Sequence, residues 1–170
     1  GCDHILGLAS VGSLRRDLPV GTFVAPDDFI ALQLGISFAH GDEGHQSPGF
    51  DPKWRRTVAD RWAERTDVPL HDGGVYWQTI GPRFETQAEI RVIAGFADLV
   101  GMTIATECVL ARELGLAYAS ICVVDNLANG IGAAPLTMEE FRAGAAANRA
   151  RLVAALDAVL PALSKEARRP

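Results

Sequence analysis

Residues 116–124 form an apolar run without a single charge, and they constrain the fold more than any other part of the chain. A strand with one wet face alternates apolar and polar residues. A run apolar throughout reads as a strand covered on both faces, which requires other elements packed above and below it. The sequence offers candidates for that cover. Residues 52–66 read as a helix, with Pro52 in the first turn and Trp54, Val58 and Trp62 at helical spacing. Thr86-Gln87-Ala88-Glu89 is a capping box opening a helix to about Gly95. Residues 106–114 form a short helix closed by Gly115. Thr137-Met138-Glu139-Glu140 is a second capping box, opening an Ala-rich helix that ends near Pro161.

Further strands are predicted at residues 4–8, 22–25, 70–80 and 99–102, with Gly73-Gly74 read as a bulge or a close approach. Residues 34–51, rich in Gly, His, Asp and Pro, read as a long surface loop. Strands alternating with helices give an α/β fold with a mixed, twisted, largely covered sheet. The length supports one domain, residues 1–163, followed by a disordered tail at 164–170 where Lys165, Glu166, Arg168 and Arg169 crowd together. The chain starts at Gly1 directly before an apolar strand-like run, so upstream sequence is expected to be absent.

Charge narrows the function classes. The net charge of −5 and the lack of a basic stripe interleaved with aromatics argue against nucleic acid as a partner. An anionic substrate is still allowed, because backbone N–H groups can outweigh global charge locally. No apolar run reaches membrane-spanning length and no basic-then-apolar leader is present, so a cytoplasmic protein without membrane contact is expected. Cys2, Cys108 and Cys122 lack CxxC spacing and read as buried thiols of a reducing compartment.

Three short segments carry the candidate chemistry: Gly81-Pro82-Arg83-Phe84-Glu85-Thr86, Val100-Gly101-Met102-Thr103 and Val123-Val124-Asp125-Asn126. All lie at or near predicted strand ends, where ligands bind in α/β sheets. Together they offer an acidic acceptor, an apolar floor and a neutral amide, a set suited to a flat heterocycle joined to a sugar. Each position also has a plainer reading. Phe84 is then core, Glu85 favours the N-terminus of the next helix, and Asn126 closes the strand with an Asx turn. If strand geometry persists, Asp125 and Asn126 point to opposite faces and only one reaches a ligand. Residues 7–13 read as a tight turn of small residues, with Ser13 where a P-loop needs lysine, so a nucleoside triphosphate site is not expected. His40 and His45, with Asp42 and Glu43 between them, lack the HExxH pattern and read as a solvated loop rather than a metal site.

The segment at 81–86 resembles the trimeric purine nucleoside phosphorylase and methylthioadenosine phosphorylase family. So do Ala97-Asp98-Leu99-Val100-Gly101-Met102-Thr103, the run 109–116 followed by Tyr118-Ala119-Ser120-Ile121, and Gly12-Ser13-Leu14-Arg15 followed by Pro19-Val20-Gly21. The resemblance spans nearly the whole chain and about the last two thirds of a full member. It implies a nucleoside phosphorylase-like sheet lacking its N-terminal portion, with the family's early glycine-serine loop and Arg-x-His segment outside the chain. The implied reaction is phosphate-dependent cleavage of a purine nucleoside to free base and sugar 1-phosphate, with inorganic phosphate as co-substrate and no cofactor or metal. By resemblance, Phe84 lines the base pocket, Glu85 accepts the base N1–H and Met102 packs under the ribose. Thr103 helps hold phosphate, the turn at Ala9-Ser10 turns backbone N–H toward phosphate and sugar, and Asn126 contacts N7 and the 6-substituent as the catalytic group. His45 is the candidate for reaching a neighbouring subunit's sugar in a homotrimer.

Asn126 and Ala128 stand where the methylthioadenosine branch has two Asp residues, which favours a 6-oxopurine. The alternatives are methylthioadenosine phosphorylase, or a catalytically impaired nucleoside-binding or partner subunit, with nucleoside hydrolysis as a weaker third. Three departures from the family pattern stand out: Asp125 in place of Thr, Ala105-Thr106-Glu107 in place of Val-Pro-Glu, and the poorly matched loop at 41–50.

Overall fold

The computed structural model describes residues 1–133 and 136–167. In chain order the elements are β1 (His4–Ser13), β2 (Phe23–Ala25), β3 (Asp28–Ile30), α1 (Pro52–Arg65), β4 (Leu70–Asp72), β5 (Val75–Gln78), α2 (Gln87–Ile93), β6 (Leu99–Gly101), α3 (Ile104–Glu113), β7 (Ala117–Leu127) and α4 (Met138–Glu166). The strands form one mixed sheet in the order β3-β5-β6-β1-β7-β2-β4. At its centre β1 and β7 run parallel. Antiparallel partners flank them, β6 on β1 and β2 on β7.

The two ends of that order are joined by very short links. Pro26-Asp27 separates β2 from β3, and Gly73-Gly74 separates β4 from β5. The sheet therefore curls until its ends meet, and the ladder continues through both kinks. Gly73 N–H donates to the Ala25 carbonyl at 2.9 Å and Asp27 N–H to the Gly74 carbonyl at 3.1 Å. Gly73 and Gly74 sit at φ 111° and 112°, where a Cβ is strained. The glycine pair is thus a corner rather than a bulge, and the single strand expected at 70–80 is two strands in different places.

The apolar reading of the central strand holds, and β7 alternates between two cores. Ala119, Ile121 and Val123 pack with Trp54, Val58 and Trp62 of α1 and Ala155, Val159 and Leu163 of α4. Tyr118, Cys122 and Val124 pack on the other side with Ile104, Cys108 and Ala111 of α3. A third cluster seats Ile90 and Ile93 of α2 against Leu14, Val100 and Ala128. Helix α1 starts where Asp51 accepts from Trp54 N–H at 2.7 Å, and its indoles reach backbone carbonyls, Trp54 to Ile5 and Trp62 to Val68, both at 2.8 Å. Such pairing is what a buried indole N–H requires.

Several expectations are corrected. Residues 7–13 continue β1 rather than turning, and β7 extends past Val124 to Leu127. Helix α4 passes through Pro161 to Glu166. Pro161 and Asp157, the residue four back whose carbonyl loses its helical donor, are both exposed residues. The tail expected from 164 onward is therefore helical as far as Glu166, and residues 168–170 lie outside the described residues. Cys2 is exposed, not buried, whereas Cys108 and Cys122 are buried free thiols that burial pushes up to about 12. Among the described residues no helix is long and apolar enough to cross a membrane.

Helix α4 crosses β7 closely at one place. A Cβ added to Gly144 would lie 1.8 Å from the Asp125 carbonyl oxygen, a backbone atom that cannot move aside cheaply. Gly144→Ala is expected to destabilise the protein by at least ~1–3 kcal/mol, the usual cost of overpacking. Gly35→Ala, at a position with nothing within 4 Å, is expected to be near neutral. Thermal melting of the two variants beside the parent checks both.

Candidate functional site

The site is organised by an irregularity between β1 and β7. Val11 pairs with Val124, but the next residue, Gly12, pairs with Asn126, so Asp125 is an extra residue in β7. Bulges of this kind re-aim side chains. The Asp125 carboxylate faces α4, where Asn148 Nδ2 donates to its Oδ1 at 2.8 Å and to the Val124 carbonyl at 3.1 Å, all within buried surroundings. Asn126 faces the other side, its Nδ2 donating to the Leu127 carbonyl at 2.9 Å. Gly12 makes room for it: a Cβ there would approach Asn126 Nδ2 and Val100 Cγ1 to 3.1 Å each.

Asn126 opens on a cleft of about 270 Å³ that also gathers Ala9, Ser10, Phe84, Glu85, Met102 and Thr103. Four segments distant in sequence thus converge on one cavity beside the central strands of the sheet. Glu85 is buried, and its Oε1 accepts from Thr79 Oγ1 at 2.6 Å. Its backbone carbonyl accepts from Asn129 Nδ2 at 3.0 Å, which ties this segment to the end of β7. A second, outer cleft of about 370 Å³ lies on the other side of Glu85, walled by Trp77, Thr79 and Arg83. It is the larger of the two but holds neither Asn126 nor Met102.

The Phe84-Glu85 pair is pinned from both ends. On the helix side the capping box is present in full: Thr86 accepts from Glu89 N–H, and Glu89 accepts from Thr86 N–H at 2.7 Å. On the other side Arg83 grips Glu89 through two bonds of 2.8 Å and reaches the Phe84 carbonyl at 3.1 Å. Arg83, and then the Thr86 N–H, hold the Glu89 carboxyl far below its ordinary value, at about 2.

Thr103 sits at the N-cap of α3, yet its side chain makes no capping bond. Strand β5 takes over that work. Gln78 Oε1 accepts from Ala105 N–H at 2.8 Å and Thr106 N–H at 3.1 Å, and the Tyr76 hydroxyl accepts from Thr103 N–H at 3.0 Å. The Thr103 hydroxyl is therefore spared for the cleft. Thr106 also accepts from Gln78 Nε2 at 2.5 Å. A proline at 106 could not donate to Gln78, so Thr106 gains a bond that the expected Val-Pro-Glu wording lacks.

Ala9 and Ser10 line the cleft as part of β1, not as the turn expected there. His45 lies in the exposed loop, its Nδ1 3.1 Å from the Gly41 carbonyl, and is not among the residues lining the cleft. Among the described residues no group of three His, Cys, Asp or Glu side chains is placed to hold a metal ion. Sequence reasoning missed Phe141, whose ring centroid lies 5.9 Å from that of Phe84 across the cleft. The capping box at Thr137 placed it in the first turn of α4, but nothing local said what that turn would face. Thr79 was missed too, although a hydroxyl two residues before Gly81-Pro82 was the available signal.

The Arg83–Glu89 brace has a signed pH dependence. Because the folded-state pKa of Glu89 is lowered from 4.5 to about 2, the brace contributes fully above about 4.5 and is lost as pH falls toward 2. A carboxyl titration followed by NMR is expected to place the Glu89 midpoint near 2, and Arg83→Ala to return it toward 4.5.

Comparison with known proteins places the chain in a family. A "Probable 6-oxopurine nucleoside phosphorylase" of Archaeoglobus fulgidus is 42% identical over 131 residues, 77% of this chain and 54% of that protein. A "Probable S-methyl-5'-thioinosine phosphorylase" of Methanosarcina acetivorans is 42% identical over 144 residues, 82% of this chain and 55% of the relative. The chain thus spans about half the length of these curated relatives. Among solved structures, a mutant adenosine/methylthioadenosine phosphorylase of Schistosoma mansoni in complex with tubercidin has the same fold. It superposes with a TM-score of 0.82 at 23% identity, covering 100% of this chain and 68% of that one. A family model described as "Phosphorylase superfamily" matches residues 1–161, and the chain therefore belongs to the phosphorylase superfamily.

Proposed function

We propose that this chain carries the base- and sugar-binding part of a 6-oxopurine nucleoside phosphorylase. The observation that carries the reading is that Glu85 and Asn126 face one cleft while Asp125 is turned away into α4. A purine seated there would stack near Phe84, give its N1–H to the Glu85 carboxylate and place N7 and O6 beside the Asn126 amide. Met102 would lie under the ribose. Thr103 and the backbone of Ala9-Ser10 would meet the phosphate, in a cytoplasmic homotrimer in which His45 reaches the sugar bound by a neighbouring copy.

In the reaction a phosphate oxygen bonds to C1′ as the C1′–N9 bond breaks, and that electron pair passes into the purine. Negative charge gathers on the base as the sugar becomes oxocarbenium-like. An amide donor at N7 is then worth more in the transition state than in the ground state. Phosphate is consumed as a co-substrate, and the products are the free base and the sugar 1-phosphate.

The relatives' names support a 6-oxo base, since S-methyl-5′-thioinosine carries hypoxanthine just as inosine does. They leave the 5′-substituent as the open choice. A methylthioadenosine phosphorylase is the second reading, favoured by the name of a Pyrococcus abyssi relative 37% identical over 129 residues.

The test is phosphate-dependent release of base from inosine, 5′-methylthioinosine and methylthioadenosine. The expected result is hypoxanthine release that needs phosphate and falls by about 10²–10³ in kcat for Asn126→Ala. Adenine release from methylthioadenosine faster than hypoxanthine release from either inosine compound would establish the second reading instead. Base binding without turnover at any phosphate concentration would leave a nucleoside-binding subunit.

A further inference from the structure

Glu85 is 8% exposed, yet among the described residues its carboxylate forms no ion pair. Arg83, two residues before it, spends both terminal nitrogens on Glu89 instead, at 2.8 Å each. Among the described residues a single side chain donates to the carboxylate, Thr79, from Oγ1 to Oε1 at 2.6 Å. A carboxylate can accept at about four positions. One donor leaves most of that capacity unused, and buried polar groups are normally satisfied. The cleft that Glu85 shares with Asn126 and Met102 is where a ligand N–H can supply the missing donor.

Thr79 is itself fixed by the sheet. Strands β5 and β6 pair in parallel, with Gln78 opposite Gly101. Thr79 continues that ladder by one residue, its N–H donating to the Gly101 carbonyl at 2.8 Å. Its branched Cβ leaves few choices at χ1. The hydroxyl carries one proton, and the other acceptor in reach is the Gly101 carbonyl, at 3.4 Å and already bonded to the Thr79 N–H. Glu85, at the shorter distance, is the better acceptor. Residues 79–86 lie between β5 and α2, so this bond closes the loop from side chain to side chain. Asn129 holds the Glu85 backbone, and Thr79 holds its carboxylate.

We propose that Thr79 is a positioning residue for Glu85, holding Oε1 against the sheet so that Oε2 is presented to the N1–H of a 6-oxopurine. Thr79 lines the outer cleft and not the one that holds Asn126, so it acts through Glu85 and touches no substrate atom. The inference rests on the 6-oxopurine reading and adds that the choice of base depends on a residue outside the binding cleft. Hypoxanthine offers an N–H at N1 where adenine offers a lone pair. A carboxylate held in place favours the first, and a loosened one discriminates less.

Calorimetric titration of the chain with hypoxanthine and with adenine tests it without turnover. Thr79→Val keeps the volume and removes the donor. It is expected to weaken hypoxanthine about tenfold, as loss of a hydrogen bond to a charged group does, and adenine by less than about twofold. Thr79→Ser restores the hydroxyl and is expected to bind hypoxanthine within about threefold of the parent. Thr79→Ala is expected to repeat the Thr79→Val result and serves where that variant melts early. Glu85→Ala is expected to weaken hypoxanthine by about tenfold or more, and Thr79→Val added to it to change nothing further, because the two act as one unit. Equal weakening of both bases by Thr79→Val overturns the positioning role. So does hypoxanthine binding kept in Thr79→Val but lost in Glu85→Ala, and either result leaves the site reading standing. Hypoxanthine binding unchanged in Glu85→Ala, or absent from the folded parent, overturns the site reading and the positioning role with it.

Discussion

The parallel ladder between β1 and β7, with its single irregularity at Asp125, is the constraint on which the rest of the structure depends. Burying β7 on both faces forces α1 and α4 to one side and α3 to the other. Once both faces are apolar, a polar residue at the strand's end has few places to go. The extra residue resolves this by sending Asp125 to a buried amide on α4 and Asn126 to the cleft. Gly144 on α4 and Gly12 on β1 are the backbone concessions that let the two side chains fit. An uncompensated carboxylate in either place would be costly, so the Asn148 partner matters as much as the bulge.

The cleft's other walls are held from outside rather than by their own side chains. Strand β5 caps α3, which frees the Thr103 hydroxyl, and Arg83 with the capping box fixes Phe84 and Glu85. Such division of labour is what a binding site needs: groups that meet the ligand are positioned by neighbours and are not spent on holding the fold. Asn129 extends the same logic by joining the Glu85 backbone to the end of β7, so two walls of the cleft are tied together.

Much of this was legible in the sequence, for identifiable reasons. The charge-free run at 116–124 gave the covered strand, and the two capping boxes located α2 and α4 because a cap is a local hydrogen-bond pattern. The convergence of Phe84, Glu85, Met102, Thr103 and Asn126 was reached through motif resemblance, since spacing alone favoured plainer roles for each. What failed was non-local. The corner at Gly73-Gly74 depends on sheet closure, the bulge at Asp125 on register with β1, and the place of Phe141 on how α4 crosses the sheet. Nor could local sequence show that β1 continues through Ser13, because a strand held by a partner tolerates small residues that would otherwise mark a turn.

The central claim is that Glu85 and Asn126 act on one heterocycle in one cleft. Side-chain amide and carboxyl NMR signals followed during a titration with hypoxanthine test it most directly. The account predicts saturable shifts at the Asn126 amide and the Glu85 carboxyl, with the Asn148 amide beside Asp125 unmoved. Shifts confined to Trp77 and Arg83 in the outer cleft, or a folded protein with no shift at Asn126 at saturating base, would contradict it.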